Sequence, residues 1–547
     1  MLVAVVPDPD GRGGHLADLP GETPPVHVGD LAVAIAAREA ADHPRWLWTA
    51  TMDVYPPLLR AGVRVARCHD LELTEALLLG HSGHWGEPRG LPAALARLRG
   101  LPVPADLPRP EAEPPGFAQA ALFEAVAMPA AATVEDLLLA YADQRRRMES
   151  TEHPGRFRLL IAAESAGALI AAEMGHAGLP WRADVHDEVL RELLGPPQPV
   201  GPPRRLAELT AVINGAFGVH GLHPDSPAEV VRAFARAGIQ VPNTRRWVLR
   251  EVDHPAVAPL LEYKELYRIW TAHGWSWCDA WVRDGRFRPE YIAGGVVSGR
   301  WAARGGGALQ VPKVVRRAVL ADPGWRFVVA DAGQLEPRVL AAVSGDERFA
   351  QAAAAGDLYA ALATDSFAGD RAKAKLALIG AMYGQTGGDA LPALAVLRRR
   401  YPTAFDYVEA AARTGENGGL VRSWLGRTCP PASGAGRDAG LDPPDEAAPP
   451  PGRARGRFTR NFVIQATAAE WALVMLATLR TALEGTKAEL VLFVHDEVVV
   501  HCPAEQAEQV ADAVREAAST AGRMLFGATA VRFPLDVSVV GSYADAK

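Results

Sequence analysis

Apolar positions along this chain recur in two rhythms. Leu2–Val6 and Trp46–Trp48 are short apolar runs of the kind that form buried strands, whereas Leu91–Leu98 and Val134–Tyr141 repeat at helical spacing. Residues 1–195 therefore predict a compact α/β unit. The stretch GPPQPVGPPRR, Gly195 to Arg205, is a proline-rich break and the first expected boundary. From 205 to 293 the pattern is mostly helical, including Pro227–Ala237 and Val257–Trp270, and from 294 to 547 strand and helix patterns alternate. Within that last region, 428–456 is dominated by Pro, Gly, Ala and Asp; it lacks the apolar residues for a core and is expected to be a mobile loop.

The most informative local pattern is VLFVHDEVVVHC. Val491–Val494 and Val498–Val500 predict two buried strands. Between them stand His495, Asp496 and Glu497, with no Gly or Asn for the usual tight turn. A hairpin here is expected to push Asp496 and Glu497 to the end of a sheet. Adjacent carboxylates there repel and lose solvation unless a cation sits beside them, and a divalent metal is the simplest cation. A solvated acidic turn is the alternative.

Arg326–Ala330 reads as another buried strand running into Asp331, followed by a helix that ends near Gly345. Asp331 alone would more often be a helix cap. Two strand-end aspartates from distant parts of the chain can instead share two Mg²⁺ ions, or Mn²⁺, as phosphoryl transfer requires. Cations for substrate phosphates are supplied by RAKAKLALIGAMYGQ, where Arg371, Lys375, Ile379 and Tyr383 fall four apart and drift slowly along one helix face. In RFTRNFVIQATAAEW, Arg457, Asn461 and Gln465 form a second stripe of hydrogen-bonding side chains, suited to base edges and sugars in a minor groove. An amphipathic surface seam is the plain alternative for each stripe.

Composition narrows this picture only a little. With 547 residues, 49% hydrophobic and 22% charged, the chain has room for two to four domains of ordinary globular type. The net charge of −7 does not advertise a nucleic-acid partner, although a local basic groove matters more than the total. The cysteines Cys68, Cys278, Cys429 and Cys502 are scattered without a CxxC pair, which favours a reducing cytoplasm and argues against a structural zinc site. The start lacks the basic residues of a secretory signal, and no apolar run is expected to span a membrane.

The order DAGQLEPR, RAKAKLALIGAMYG, RFTRNFVIQATAAE and VHDE resembles the palm and fingers of family A DNA polymerases, the bacterial polymerase I type. VVSGRWAARGGGALQVP, LLEYKELYRI and HPDSPAEVVRAFARAGI extend the likeness upstream, into the family's thumb and the segment before it, from about Arg205 to the end. The resemblance implies an α/β and α+β multidomain protein: a ribonuclease H-like 3′–5′ exonuclease-type domain over 1–195, a helical lead-in and thumb over 205–293, and a right-hand palm and fingers over 294–547. It implies template-directed addition of dNTPs to a primer 3′ end with release of pyrophosphate, by a monomer working on primer–template DNA in the cytoplasm beside the nucleoid. Asp331 and Asp496 are then the metal carboxylates and the Ala332 carbonyl a further ligand. Lys375 is catalytic. Gln334, Glu336, Arg371, Lys375, Ile379 and Tyr383 line the nucleotide, with Glu336 crowding the sugar 2′ position. Arg300, Arg457, Asn461, Gln465 and His495 contact DNA, and Glu497 supports from behind.

Several residues depart from the family pattern. Ile379 replaces an aromatic that would pack on the incoming sugar, Ala332-Gly333 replace Tyr-Ser, Ala466 replaces Gly and Glu470 replaces Asp. None removes a metal ligand. In the first domain the departures are severe. The first strand has Asp8 and Asp10 but no DxE, Thr49 stands for an Asn, and Arg145 follows Tyr141 where a carboxylate is expected; Asp53 keeps its place, and Asp70-Leu71-Glu72 spell DxE in the wrong segment. An exonuclease-like fold without its chemistry is the expectation, with an active proofreading domain as the alternative. No flap-nuclease domain is expected ahead of it. A non-catalytic primer–template binding protein and a single-subunit RNA polymerase are the competing readings; Glu336 and the full VHDE argue against the latter.

Overall fold

In a computed structural model of the protein, residues 1–19, 24–108, 132–384, 390–431 and 451–546 are described. The chain opens with β1 (Leu2–Pro7), β2 (Gly14–Leu19), β3 (Val26–Val28), β4 (Arg45–Trp48) and β5 (Arg67–Asp70). These form one sheet in the order β3-β2-β1-β4-β5, antiparallel from β3 to β1 and parallel from β1 to β5. Successive residues pack on opposite sides, as a strand's period of two demands. Val3, Val5, Trp46 and Trp48 enter one apolar cluster, and Ala4, Val6 and Leu47 enter another. Both faces are thus covered, so the strands read as continuous apolar runs.

Short strands follow: β6 (Leu179–Pro180), β7 (Val282–Arg283) and β8 (Arg286–Phe287) make one small sheet, and β9 (Glu290–Ile292) and β10 (Ala302–Arg304) make a ribbon. The second main sheet is antiparallel, with β11 (Trp325–Ala332), β12 (Glu489–Val494), β13 (Glu497–Pro503) and β14 (Leu535–Val540) in the order β12-β13-β11-β14. Every residue of β13 is buried. The 20-residue helix Ala507–Phe526 lies against this sheet through an apolar face of Val510, Val514, Ala518 and Leu525.

A single large core runs from Leu77 to Tyr543. Leu160, Ile161, Ile170 and Met174 of the helix Pro154–Ala177 belong to it, as do Trp181, Leu190 and Leu194, whereas Leu169 and Ala172 of the same helix enter the N-terminal core. That helix is therefore apolar on two sides. Leu77, Leu78 and Met148 already belong to the larger core, so contacts with the two cores interleave ahead of the proline-rich break. The break reports an exposed connection, and exposure does not tell which core the preceding helices join.

Two further expectations need correction. Residues 451–456 open the 32-residue helix Pro451–Ala482 and do not belong to a loop; of the rest of that proposed segment, 428–431 are described and 432–450 lie outside the described residues. The same helix, over Gly452–Ala482, is long and apolar enough to cross a membrane, contrary to the expectation that no such stretch exists. Its apolar window is 89% buried within the protein, as befits a core helix.

Glu470 on this core helix is fully enclosed and accepts hydrogen bonds from the Ser423 hydroxyl and, at 3.0 Å, from the Leu425 amide. Burial pushes its pKa up to about 7, against the pull of Ser423 and Arg427. A carboxyl whose folded pKa lies above its unfolded value stabilises fully below about pH 4.5, and that contribution fades as pH rises through about 7. The loss between pH 4 and 8 is roughly 3 kcal/mol. Glu470→Gln should flatten this slope, raising the melting temperature relative to wild type at pH 8 more than at pH 5; parallel melting curves at both pH values would contradict the assignment.

Candidate active site

Both predicted metal carboxylates arrive at one edge of the second sheet. β11 lies between β13 and β14, and Asp331 near its C-terminal end pairs in register with Glu497 on one side and Asp536 on the other. Directly opposed residues on antiparallel strands project from the same face, so three carboxylates lie in a row across three strands. Asp496 is brought beside them by the backbone, because the Ala332 amide donates to the Asp496 carbonyl at 3.0 Å. Asp331 is not the cap of the following helix Leu335–Val343. That position belongs to Gln334, whose φ of 60° is left-handed.

The hairpin differs from expectation in one respect. Its turn is His495-Asp496, and Glu497 already belongs to β13. Glu497 therefore does not stand out at the tip. It is buried, accepts a hydrogen bond from the Tyr543 hydroxyl and lies 3.9 Å from Arg316. A side chain at the first position of β13 must follow the strand's alternation, which turns it toward the C-terminal segment. His495 adopts φ 59°, the left-handed region that the missing Gly would have filled more cheaply. Non-glycine residues in this region, His495 and Gln334, thus stand next to Asp496 and just after Asp331. Local strain of this kind, worth about 1–3 kcal/mol per residue, persists where the surrounding structure enforces it.

The cationic stripe forms as the spacing predicts. The helix Arg371–Tyr383, capped by Asp370, leaves Arg371, Lys375 and Tyr383 exposed and Ile379 partly so, while Ala374, Ala377, Leu378 and Ala381 pack inward. Its far end meets the strand-end helix: Tyr383 donates to Glu336 at 2.9 Å, and Arg300 donates to the other Glu336 oxygen at 2.5 Å. Burial, helped by Glu336, raises the Tyr383 pKa, so the phenol stays protonated as a donor. His495 belongs to the same neighbourhood. Partial burial lowers its pKa, Arg300 lowers it further and Glu336 opposes both, which favours the neutral ring. Arg300, Glu336, Tyr383 and His495 are thereby joined around one spot.

Asp357 was invisible as a site residue in the sequence, where it reads as an ordinary helix cap. It does cap the helix Leu358–Ser366, accepting from the Ala360 amide at 3.1 Å. It also accepts from Gln334 Nε2 at 2.8 Å and from Arg371 Nε at 2.8 Å. Gln334 Oε1 in turn accepts from the Leu358 amide at 2.8 Å, so the predicted nucleotide-pocket residues Gln334 and Arg371 share one carboxylate. Partial burial works to raise the Asp357 pKa, but the bonds from Arg371, Gln334 and the Ala360 amide outweigh it and hold it at about 2. The Arg371 guanidinium also lies 5.5 Å from the Tyr359 ring centroid.

On the core helix, Arg457 and Asn461 are half-buried, and Gln465 is only 4% exposed. The expected hydrogen-bonding stripe therefore sinks into the protein along its length, and Gln465 has only a small part of its side chain to offer a ligand.

Among the described residues no group of three or more His, Cys, Asp or Glu side chains is arranged to hold a metal by itself. The Asp331/Asp496 edge suits a different kind of site. Mg²⁺ prefers oxygen donors and is commonly held by one or two carboxylates with substrate phosphates completing its shell. Hard oxygen donors beside a row of negative charge, with Arg371 and Lys375 on a neighbouring helix, fit such an ion.

The N-terminal acidic residues are spread among separate tasks. Asp70 is buried, accepts from the Thr51 and Leu73 amides at 2.7 and 2.9 Å, and is pushed by burial up to about 6. Glu72 pairs with Arg89 at 3.0 Å, Asp8 lies 2.8 Å from His27, and Asp10 accepts from the Arg12 amide. Asp53 is exposed in the first turn of its helix, and Arg145 is exposed on the helix that carries Tyr141. Asp53, Asp70 and Glu72 all line a cavity of about 1640 Å³, together with Arg89, Arg304 and Arg427.

A strand-end aspartate and a hairpin aspartate thus meet at one end of a sheet, and a helix bearing Arg371 and Lys375 joins the same region through Tyr383 and Glu336. The sequence profile for DNA polymerase family A matches residues 205–544. The chain belongs to that family. Among curated proteins it is 29% identical over 317 residues to DNA polymerase I of Chloroflexus aurantiacus, covering 51% of this chain and 32% of that one. It is 29% identical over 318 residues to the thermostable DNA polymerase I of Thermus aquaticus, covering 53% and 36%. The matched part thus spans about a third of the length of these relatives. The fold is similar to the POL domain of Pol1 from M. smegmatis, solved as a complex with DNA primer-template and dNTP, with a TM-score of 0.72 over 99% of this chain and 95% of that one at 17% identity. The likeness of fold therefore includes the N-terminal sheet.

Asp357→Ala should remove the cap of the Leu358–Ser366 helix at a cost of about 1 kcal/mol, whereas Asp357→Asn, itself a good cap, should cost a few tenths. Hydrogen exchange of that helix's amides should accelerate about fivefold in the alanine variant and little in the asparagine variant. Unchanged protection in Asp357→Ala would show that the cap does not hold this helix.

Proposed function

We propose that this protein extends a DNA primer on a template, adding dNTPs with release of pyrophosphate, and that the N-terminal sheet is a 3′–5′ exonuclease-like domain that no longer cleaves. The observation that carries the first part is the backbone bond from Ala332 to Asp496, which holds Asp331 and Asp496 at one sheet edge. In this reading β11 to β14 are the palm, the Arg371–Tyr383 helix belongs to the fingers, and the helices of 205–293 form the thumb.

Asp331, Asp496 and the Ala332 carbonyl would hold two Mg²⁺ ions, which when bound would acidify the primer 3′-hydroxyl and neutralise the phosphates. Arg371 and Lys375 bind the β- and γ-phosphates, and Lys375 protonates the departing pyrophosphate. For Arg371 to reach a triphosphate it must exchange Asp357 for phosphate oxygens, a trade of one anion for another of higher charge. Glu336 fills the space beside the sugar 2′ carbon, and its bonds to Arg300 and Tyr383 keep it there. An added 2′-hydroxyl meets an occupied volume whose hydrogen bonds are already used. Ile379 offers the sugar a branched aliphatic surface without a flat face, which alters nucleotide affinity without removing a phosphate ligand. Arg300, Arg457, Asn461 and His495 face the primer–template, and Gln465 adds only the small part of its side chain that stays accessible. The protein acts as a monomer in the cytoplasm, beside the nucleoid.

Loss of the exonuclease chemistry is supported by the missing metal carboxylates: the first strand has no DxE and Thr49 stands for an Asn, while the Asp70 and Glu72 that line one cavity with Asp53 are otherwise engaged. Asp70 caps a helix, Glu72 is paired to Arg89, and Arg145 places positive charge where a metal site would need negative. Primer extension with matched and 3′-mismatched primers tests both halves together. Wild type should extend the matched primer in Mg²⁺, Asp496→Ala should lose extension by orders of magnitude, and neither should excise the mismatch. Equal extension by the two proteins would refute the polymerase assignment. Metal-dependent excision abolished by Asp53→Ala would overturn the inactive first domain.

A further inference from the structure

The helix Pro154–Ala177 carries two buried glutamates. Glu173 is accounted for by packing: it accepts from Tyr55 at 2.6 Å and pairs with Arg480 at 2.7 Å, tying the N-terminal helix Thr51–Arg60 to the core helix. Glu164 is only 3% exposed and accepts from Arg427 Nη2 at 2.7 Å, and Arg427 is itself 8% exposed. A buried ion pair regains in attraction about what it loses in hydration, so stability alone is a poor reason for it.

Its surroundings supply another reason. The pair presses on the turn from Gly294 to Gly299. A Cβ at Gly299 would come within 2.4 Å of Arg427 Nε and 2.6 Å of Cζ, and one at Gly294 would strike the Glu164 carboxylate. Both glycines have left-handed φ, +61° and +85°. The turn closes on itself through Gly299 N–H to the Val296 carbonyl at 2.7 Å and Val296 N–H to the Arg300 carbonyl at 3.0 Å. The residue that leaves this turn is Arg300, whose guanidinium fixes Glu336, which in turn accepts from Tyr383. An unbroken series of close contacts thus leads from Glu164 to the nucleotide pocket.

We propose that the Glu164–Arg427 ion pair is a positioning device for Arg300: it clamps the glycine turn so that Arg300 can hold Glu336 and Tyr383 in place for the nascent base pair. The inference rests on the polymerase reading above. Glu164 and Arg427 touch neither nucleotide nor primer in this account, and act only through the turn. The clamp requires both the charge of Glu164 and the planar guanidinium of Arg427, since an ammonium would satisfy the charge without covering Gly299.

A double-mutant cycle tests it, with single-nucleotide extension on the full chain. Glu164→Gln, close in shape and uncharged, should lower kcat/KM for the correct dNTP by about tenfold, the size of one mis-set active-site contact. In an Arg300→Ala background the same substitution should change kcat/KM by less than about twofold, because the residue it acts through is gone. Arg427→Lys should reproduce both results, and it carries the test if Glu164→Gln fails to fold. An effect of equal size with and without Arg300, or no effect on the Arg300-containing protein, would overturn the positioning role while leaving the polymerase reading intact. Failure of wild type to extend any primer would sink that reading and this inference with it.

Discussion

One backbone hydrogen bond and the register around it hold the site together. β11 is locked between β13 and β14 over most of its length, in a core where Phe327, Val328 and Ala330 are inaccessible to solvent. A slip of one residue would exchange the faces of every side chain, so the register is fixed by burial. The register sets Asp331 opposite Glu497, and the Ala332 amide then takes the Asp496 carbonyl. The carboxylates reach the same edge because the strands beneath them have no alternative pairing that keeps the valines buried.

The cost of that arrangement is visible around it. Asp331 has acidic neighbours on both adjoining strands, and the backbone is left-handed at His495 and Gln334. Each is unfavourable in isolation. The protein offsets part of the charge with Arg316 near Glu497, and uses Asp357 to gather Gln334 and Arg371 on the other side. The proposed cation site would account for this concentration of negative charge at a rigid edge.

Much of this was legible in the sequence, and the gaps have physical reasons. The β12–β13 hairpin, the strand into Asp331 and the Arg371–Tyr383 stripe follow from periodicity and burial alone. Glu497 opens the second strand instead of standing in the turn, because a three-residue polar gap does not say which residue begins that strand. Gln465 sinks because the helix itself enters the core: every residue from Phe462 to Leu476 is buried whichever face it occupies, and four-residue spacing does not report how deep a helix runs. Asp357, Tyr543, Glu164 and Arg427 gave no signal, since each acts through a partner distant in sequence, such as the contact between Arg427 and Glu164.

The central claim is that Asp331 and Asp496 together hold metal. It is tested most directly by Mn²⁺ titration, followed by electron paramagnetic resonance, of the protein with primer–template and a non-hydrolysable dNTP. Each wild-type chain should bind two Mn²⁺ ions, magnetically coupled at a separation of about 4 Å. That coupled signal should be absent from both Asp331→Asn and Asp496→Asn. Retention of the coupled pair in either variant would contradict it.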